Sequence, residues 1–215
     1  IVWTNFNDNA SFDQHCYCYR YLGKIMKRFL ILITAMIFQS NMAVAESDNQ
    51  SKFFDQLQQY CGKAFLGKVT LDNQPSEAFS NKDLVMHVRK CNSKQLQVPF
   101  HVGKDASRTW LISKTNTGLS LKHDHRHEDG SEDKATMYGG HSVTDGWPQA
   151  QSFPADQYSK NLFVELGIPQ SAGNTWHMYI YPEKFTYRLT REGREFRVDF
   201  DLSQPVTPPE APWGY

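Results

Sequence analysis

The sequence predicts a mainly β protein: an antiparallel up-and-down barrel or a sandwich, carrying two short helices. Two observations predict it. About eight short runs alternate apolar and polar residues with period two, the signature of half-buried strands. Only two segments show helical spacing, one before the strand runs and one among them.

The N-terminus is set apart before the fold is read. Met26, Lys27 and Arg28 precede an apolar run from Phe29 to Phe38, and Ala43, Val44 and Ala45 supply a small-x-small cleavage site. This is the pattern of a secretory signal peptide over 26–45. The apolar run is about half the ~20 residues that a membrane-spanning helix needs. No Cys stands directly after Ala45, so a lipid anchor is not indicated, and no membrane span is expected after cleavage. Residues 1–25 lack periodicity and read as translated upstream sequence or a disordered leader. The expected mature chain starts at Glu46. It is long enough for a single β-rich domain over 46–203 with a real core, followed by a Pro-rich strap over 204–215.

Charge excludes one class of partner. The whole chain holds 23 basic and 23 acidic residues. The leader and signal carry four of the basic and two of the acidic ones, which leaves the remainder at a net charge of −2. Neither a nucleic-acid surface nor a polybasic membrane patch is indicated. Cys16 and Cys18 fall in the leader, so the mature chain keeps Cys61 and Cys91. In an extracytoplasmic protein, periplasmic or secreted, two cysteines read most simply as one disulfide.

The elements follow in order. Phe53, Phe54, Leu57 and Tyr60 recur at helical spacing over 51–60, with Ser51 or Asp48 as the cap. Phe65 to Leu71 reads as the first strand and ends in a turn-rich loop at Asp72 to Ser76. Leu84, Met86 and Val88 form one face of the next. Leu96, Val98, Phe100 and Val102 form one face of the third, where Pro99 calls for an edge or a bulge. Trp110 and Ile112 share a face with Arg108. Leu119, Leu121, His123, His125 and His127 share another. Pro154 near its start and Gly167 at its end bracket a second helix with Tyr158, Leu162, Phe163 and Leu166 as its apolar face. Three runs close the set: Trp176, Met178 and Ile180; then Phe185, Tyr187 and Leu189; then Phe196, Val198, Phe200 and Leu202. The last two flank Glu192 and Gly193 and read as a hairpin. A lipocalin-like barrel accommodates this succession, with a cupin-type jelly roll as the second choice.

The chemistry-bearing candidates cluster on two adjoining strands. An inner face that turns from Leu119 and Leu121 to His123, His125 and His127 places imidazoles at the rim of a core. Imidazoles at this spacing are candidate ligands for a divalent transition metal such as Zn. The plainer reading is a hydrogen-bonded imidazole network beside an acidic turn. Arg108 and Trp110 are candidates for ligand binding. Arg108 either anchors a ligand anion or closes a barrel end by stacking on Trp. Glu128, Asp129, Glu132 and Asp133 lack the spacing of a calcium loop and read as a solvated turn. No nucleophile elbow, phosphate loop or HExxH motif is present. Ser107, Ser120 and Ser131 stand near histidines, but proximity alone does not define a triad.

Gly118, His123, His125, Glu128 or Glu132, and Gly139 or Gly140 partly resemble the first cupin motif, with the glycine-to-histidine spacing one short and no second motif. The stretch from Leu121 to Asp133, Met137 to Gly140, Phe196 to Leu202 and Pro212 to Gly214 resemble a family of small exported bacterial proteins. That resemblance spans most of residues 51–214 and implies export. It brings no established activity, ligand or catalytic residue.

These readings point to an exported barrel that binds a small molecule or a metal ion at a histidine-lined rim. A metal-dependent enzyme of cupin or hydrolase type is the alternative. The third is an envelope-associated protein that binds a partner through Tyr179, Tyr181 and Trp213. No catalytic residue is assigned.

Overall fold

The computed structural model describes residues 48–75 and 77–215. The expected leader and signal peptide lie outside the described residues. Helix α1 (Asp48–Gln58) comes first, followed by strands β1 (Ala64–Asp72), β2 (Leu84–His87), β3 (Lys90–Cys91), β4 (Gln95–Val102), β5 (Asp105–Thr115), β6 (Gly118–His125), β7 (Tyr138–His141) and β8 (Ala150–Pro154). Helix α2 (Gln157–Glu165) and a 3₁₀ turn (Pro169–Gly173) lead into β9 (Thr175–Tyr181), β10 (Lys184–Arg191) and β11 (Arg194–Val206).

The sheet runs in the order β7-β6-β5-β4-β2-β1-β11-β10-β9-β8, with β3 pairing on β4. Every paired strand is antiparallel, and β1 lies beside β11, so the first strand closes on the last. The remaining seam lies between β7 and β8. A bridge between Gly140 and Ala155 and a hydrogen bond from the Asp156 amide to the Gly139 carbonyl (2.9 Å) draw it together. The result is a nearly closed ten-stranded up-and-down barrel, the expected class, and not a sandwich.

The seam depends on two glycines. Gly139 has φ +156°, and a Cβ there would lie 1.9 Å from the Leu121 carbonyl oxygen. A Cβ on Gly140 would lie 1.8 Å from the Pro154 carbonyl oxygen. Only a residue without a side chain lets β7 approach both neighbours this closely.

The alternating runs fill the interior as their spacing predicts. Leu84, Met86, Leu96, Val98, Trp110, Ile112, Leu119, Leu121, Met178, Phe185 and Val198 are all buried in one core. Helix α1 adds Phe53, Phe54 and Leu57. Gln50 of α1 meets Ser142 (2.9 Å), and its amide packs against Gly118 at the tip of the β5–β6 hairpin. The helix therefore closes the end of the barrel opposite His125. The Cys61–Cys91 disulfide ties the chain just after α1 to β3. A bridge across 30 residues stabilises by about 3–4 kcal/mol in the chain-entropy account.

Three expectations are corrected, and one, at Pro99, is met. Pro154 ends β8 and does not open α2; Asp156 caps that helix, accepting from the Ser159 amide. The buried face of α2 is Ser159 and Phe163, while Tyr158 is half exposed. Pro99 lies in an interior strand opposite Thr109, at a bulge where the next strand changes from β2 to β3 and sets three residues, 87–89, against Val98 and Pro99. A missing N–H is tolerated at that break in the ladder. Finally, β11 extends through Val206, so the strap begins after it. The strap then crosses the outer wall, with the Trp213 amide bonding the Ala106 carbonyl (3.1 Å) and the Tyr215 hydroxyl donating to buried Asp124.

Candidate functional site: a cavity at the barrel mouth

The end of the barrel opposite α1 holds a cavity of about 300 Å³. Arg108, Trp110, His123 and His125 all line it. Register explains the convergence. Arg108 pairs with His125 and Trp110 with His123 on neighbouring strands, and all four stand on the inward parity. Helix α2, through Phe163, and the chain after it, through Ile168 and Asn174, roof the cavity, and Phe79 from the β1–β2 loop covers its side.

His123 is buried and fully engaged. Its Nδ1 lies 3.2 Å from the Tyr138 carbonyl and its Nε2 lies 2.9 Å from the Tyr187 hydroxyl. A carbonyl only accepts, so Nδ1 carries the proton and Tyr187 donates to Nε2. Trp176 packs against the His123 ring, with centroids 5.0 Å apart. Burial, reinforced by the neighbouring His125, lowers the His123 pKa to about 3, so the ring is neutral. Burial raises Tyr138 to about 12 and Tyr187 well above the ordinary phenol value.

His125 stands nearer the opening. Its Nε2 lies 3.1 Å from the Tyr138 hydroxyl. Burial, followed by the charge of Arg108, lowers its pKa to about 4, against the opposing pull of Asp133, Asp105 and Asp124. Arg108 is held by Asp105 (2.6 Å) and lies over the Phe79 ring at 6.0 Å. The expected stacking of Arg108 on Trp is thus replaced by stacking on Phe79. Trp110 is sandwiched instead between Phe100 and Tyr187, with centroids 5.0 and 4.6 Å away.

His127 departs from the expected triad. Strand β6 ends at His125, and Arg126 bridges to Glu132 as the chain turns. His127 is exposed, 4.0 Å from Asp133, and does not line the cavity. Among the described residues, no three His, Cys, Asp or Glu side chains group so as to hold a metal ion. The geometry supports the hydrogen-bonded network for His123, whose two ring nitrogens already have partners. The acidic turn is likewise self-contained: Asp129 accepts from Ser131, and Glu132 pairs with Arg126 at 3.2 Å.

Sequence reasoning missed Tyr138, Tyr187, Trp176, Phe79 and Arg194 as parts of the site. Tyr187 and Trp176 were legible as inward residues, since they share parity with Phe185 and Met178. Which inward residues meet His123 depends on the curvature of the closed sheet, which parity does not carry. Comparison with protein-family models, with curated proteins and with solved structures finds no match to this chain.

Proposed function

We propose that the protein is an exported small-ligand-binding barrel and that the mouth cavity is its binding site. One observation carries the reading: Arg108, Trp110, His123 and His125 converge on one cavity of about 300 Å³. That volume is at the lower end for small-molecule pockets, and an apolar lining with a few fixed polar groups is the usual composition. The polar groups are held in advance by Tyr187, Tyr138 and Asp105, so binding orders few side chains. Export is supported by the signal-like segment over 26–45 and by the Cys61–Cys91 disulfide.

The test is a fragment library screened by calorimetry against the wild type and Ser171→Trp, which fills the cavity from its roof. Ligands that bind the wild type and lose binding in the filled variant support the site. Binding that persists in Ser171→Trp with unchanged affinity places it elsewhere, and a library without a single binder ends the proposal.

A further inference from the structure

The charges on the lining carry an inference that rests on, and narrows, the ligand-binding reading. The charged side chains lining the cavity are Arg108 and Arg194, and no Asp or Glu lines it. Their counter-charges, Asp105 and Asp72, stand off the lining. Arg194 sends its Nη1 to three acceptors, Asp72 (2.5 Å), the Glu195 carbonyl (2.7 Å) and Asn73 (3.3 Å), which hold it at the wall. Arg108 gives only Nη1 to Asp105, which leaves the rest of its fork for a ligand. Its charge reaches His125, Tyr138 and Tyr187.

The ring walls set the shape of the ligand. Trp110 and Tyr187 stack at 15° between planes, as do His123 and Tyr138 at 13°. Both faces of Trp110 are covered, so it meets the cavity by its edge, and ring edges favour an aromatic guest in edge-to-face contact. The His125–Tyr138 pair adds a donor. If Tyr138 donates to Nε2, the Nδ1–H of His125 is uncommitted; if Nε2–H donates, the Tyr138 hydroxyl is. Either arrangement offers one N–H or O–H beside the guanidinium. A single partly neutralised Arg with one neutral donor suits a monoanion better than a phosphate dianion.

We propose that the cavity selects a planar aromatic carboxylate, with its carboxylate on Arg108 and the His125–Tyr138 pair and its ring among Trp110, Tyr187 and Trp176. The partners are chemically matched. The fork of Arg108 fits a carboxylate geometrically, and a charge-assisted hydrogen bond is about twice as strong as a neutral one.

The test is calorimetric titration of the full chain with 2-naphthoate and with 2-naphthamide, its neutral isostere. The acid is expected to bind at least about tenfold tighter than the amide, the equivalent of ~1.4 kcal/mol. Arg108→Gln is expected to bring acid and amide to the same affinity, and Arg108→Lys to restore part of the preference. Near-ultraviolet circular dichroism confirms that each variant keeps its packed interior. Equal binding of acid and amide, or an acid preference that survives in Arg108→Gln, overturns the assignment. If neutral fragments bind in the cavity and naphthoate does not, the anion assignment fails while the ligand site stands. If nothing binds there, both fall.

Discussion

The Nε2 atom of His123 lies 2.9 Å from the hydroxyl of Tyr187, a hydrogen bond that spans the barrel interior from β6 to β10. Both partners are buried, so neither can turn to water. Tyr187→Phe removes the donor and leaves a buried acceptor unpaired. The expected cost is about 1–3 kcal/mol, read as a lower urea midpoint at unchanged m-value. A Tyr187→Phe protein as stable as the wild type contradicts the network.

Stability is expected to fall as pH drops below 6.5, through the buried histidines. His123 and His125 titrate at about 3 and about 4 in the fold, against 6.5 in the unfolded chain. The unfolded chain therefore binds more protons between these values. Stability is complete above pH 6.5 and declines as pH drops towards 4, by up to about 1.4 kcal/mol per pH unit for each imidazole. His87, His101 and His177 shift the same way, each through burial first, and steepen the decline. Asp156 and Asp199 are lowered from 3.8 and act only below that window. Urea unfolding at pH 7, 5.5 and 4.5 checks the slope, and His125→Asn is expected to flatten it.

Gly140→Ala is expected to be among the most damaging single substitutions. Its Cβ would overlap the Pro154 carbonyl at the β7–β8 seam. Relief requires the seam to part, so the expected loss is about 4 kcal/mol or more. Gly62→Ala is the control. It has φ +83°, so it carries backbone strain, but nothing lies within 4 Å of its Cβ. Similar melting temperatures for the two variants argue against a tightly closed seam.

The strap is expected to act through one side chain. Tyr215 donates to Asp124, which also takes bonds from Arg126 (2.9 Å) and Thr136 (3.2 Å) and is only 2% exposed. Tyr215→Phe deletes one bond to a buried carboxylate, at an expected cost of about 1.5–3 kcal/mol. Hydrogen exchange at the Trp213 amide, which bonds the Ala106 carbonyl, is expected to quicken in that variant. Unchanged exchange shows that the strap is held by its apolar contacts alone.

Much of the interior was legible because a strand repeats every two residues. Arg108, Trp110, Leu119, Leu121, His123 and His125 all point where parity puts them. Parity failed at His127, where the strand ends one step before it. The acidic turn from Glu128 to Asp133 signals that end only loosely, since a polar run suits a strand's outer face as well as a loop. Pro154 misled for a related reason. A proline opens a helix or ends a strand with equal ease, and only the Asp156 cap decides between them. The roof of the cavity was readable only at Phe163, on the expected apolar face of the second helix, because Ile168 and Asn174 arrive from a segment whose path is set by docking.

The drawn-together seam at Gly140 and Ala155 also bears on self-association. An open sheet presents two rows of unsatisfied amides and carbonyls that template other chains, and a closed barrel withholds them. Strand β1 is left open along part of one margin. Beyond Gly67, where β2 pairs last, the run from Lys68 to Asp72 is paired on β11 alone. That margin is short, charged at both ends, and kinked by a bulge between Val69 and Leu71. Each of these features discourages strand addition. Against edge-to-edge aggregation, the fold is protected by closure around most of its circumference and by irregularity at the one place where β1 outruns its neighbour.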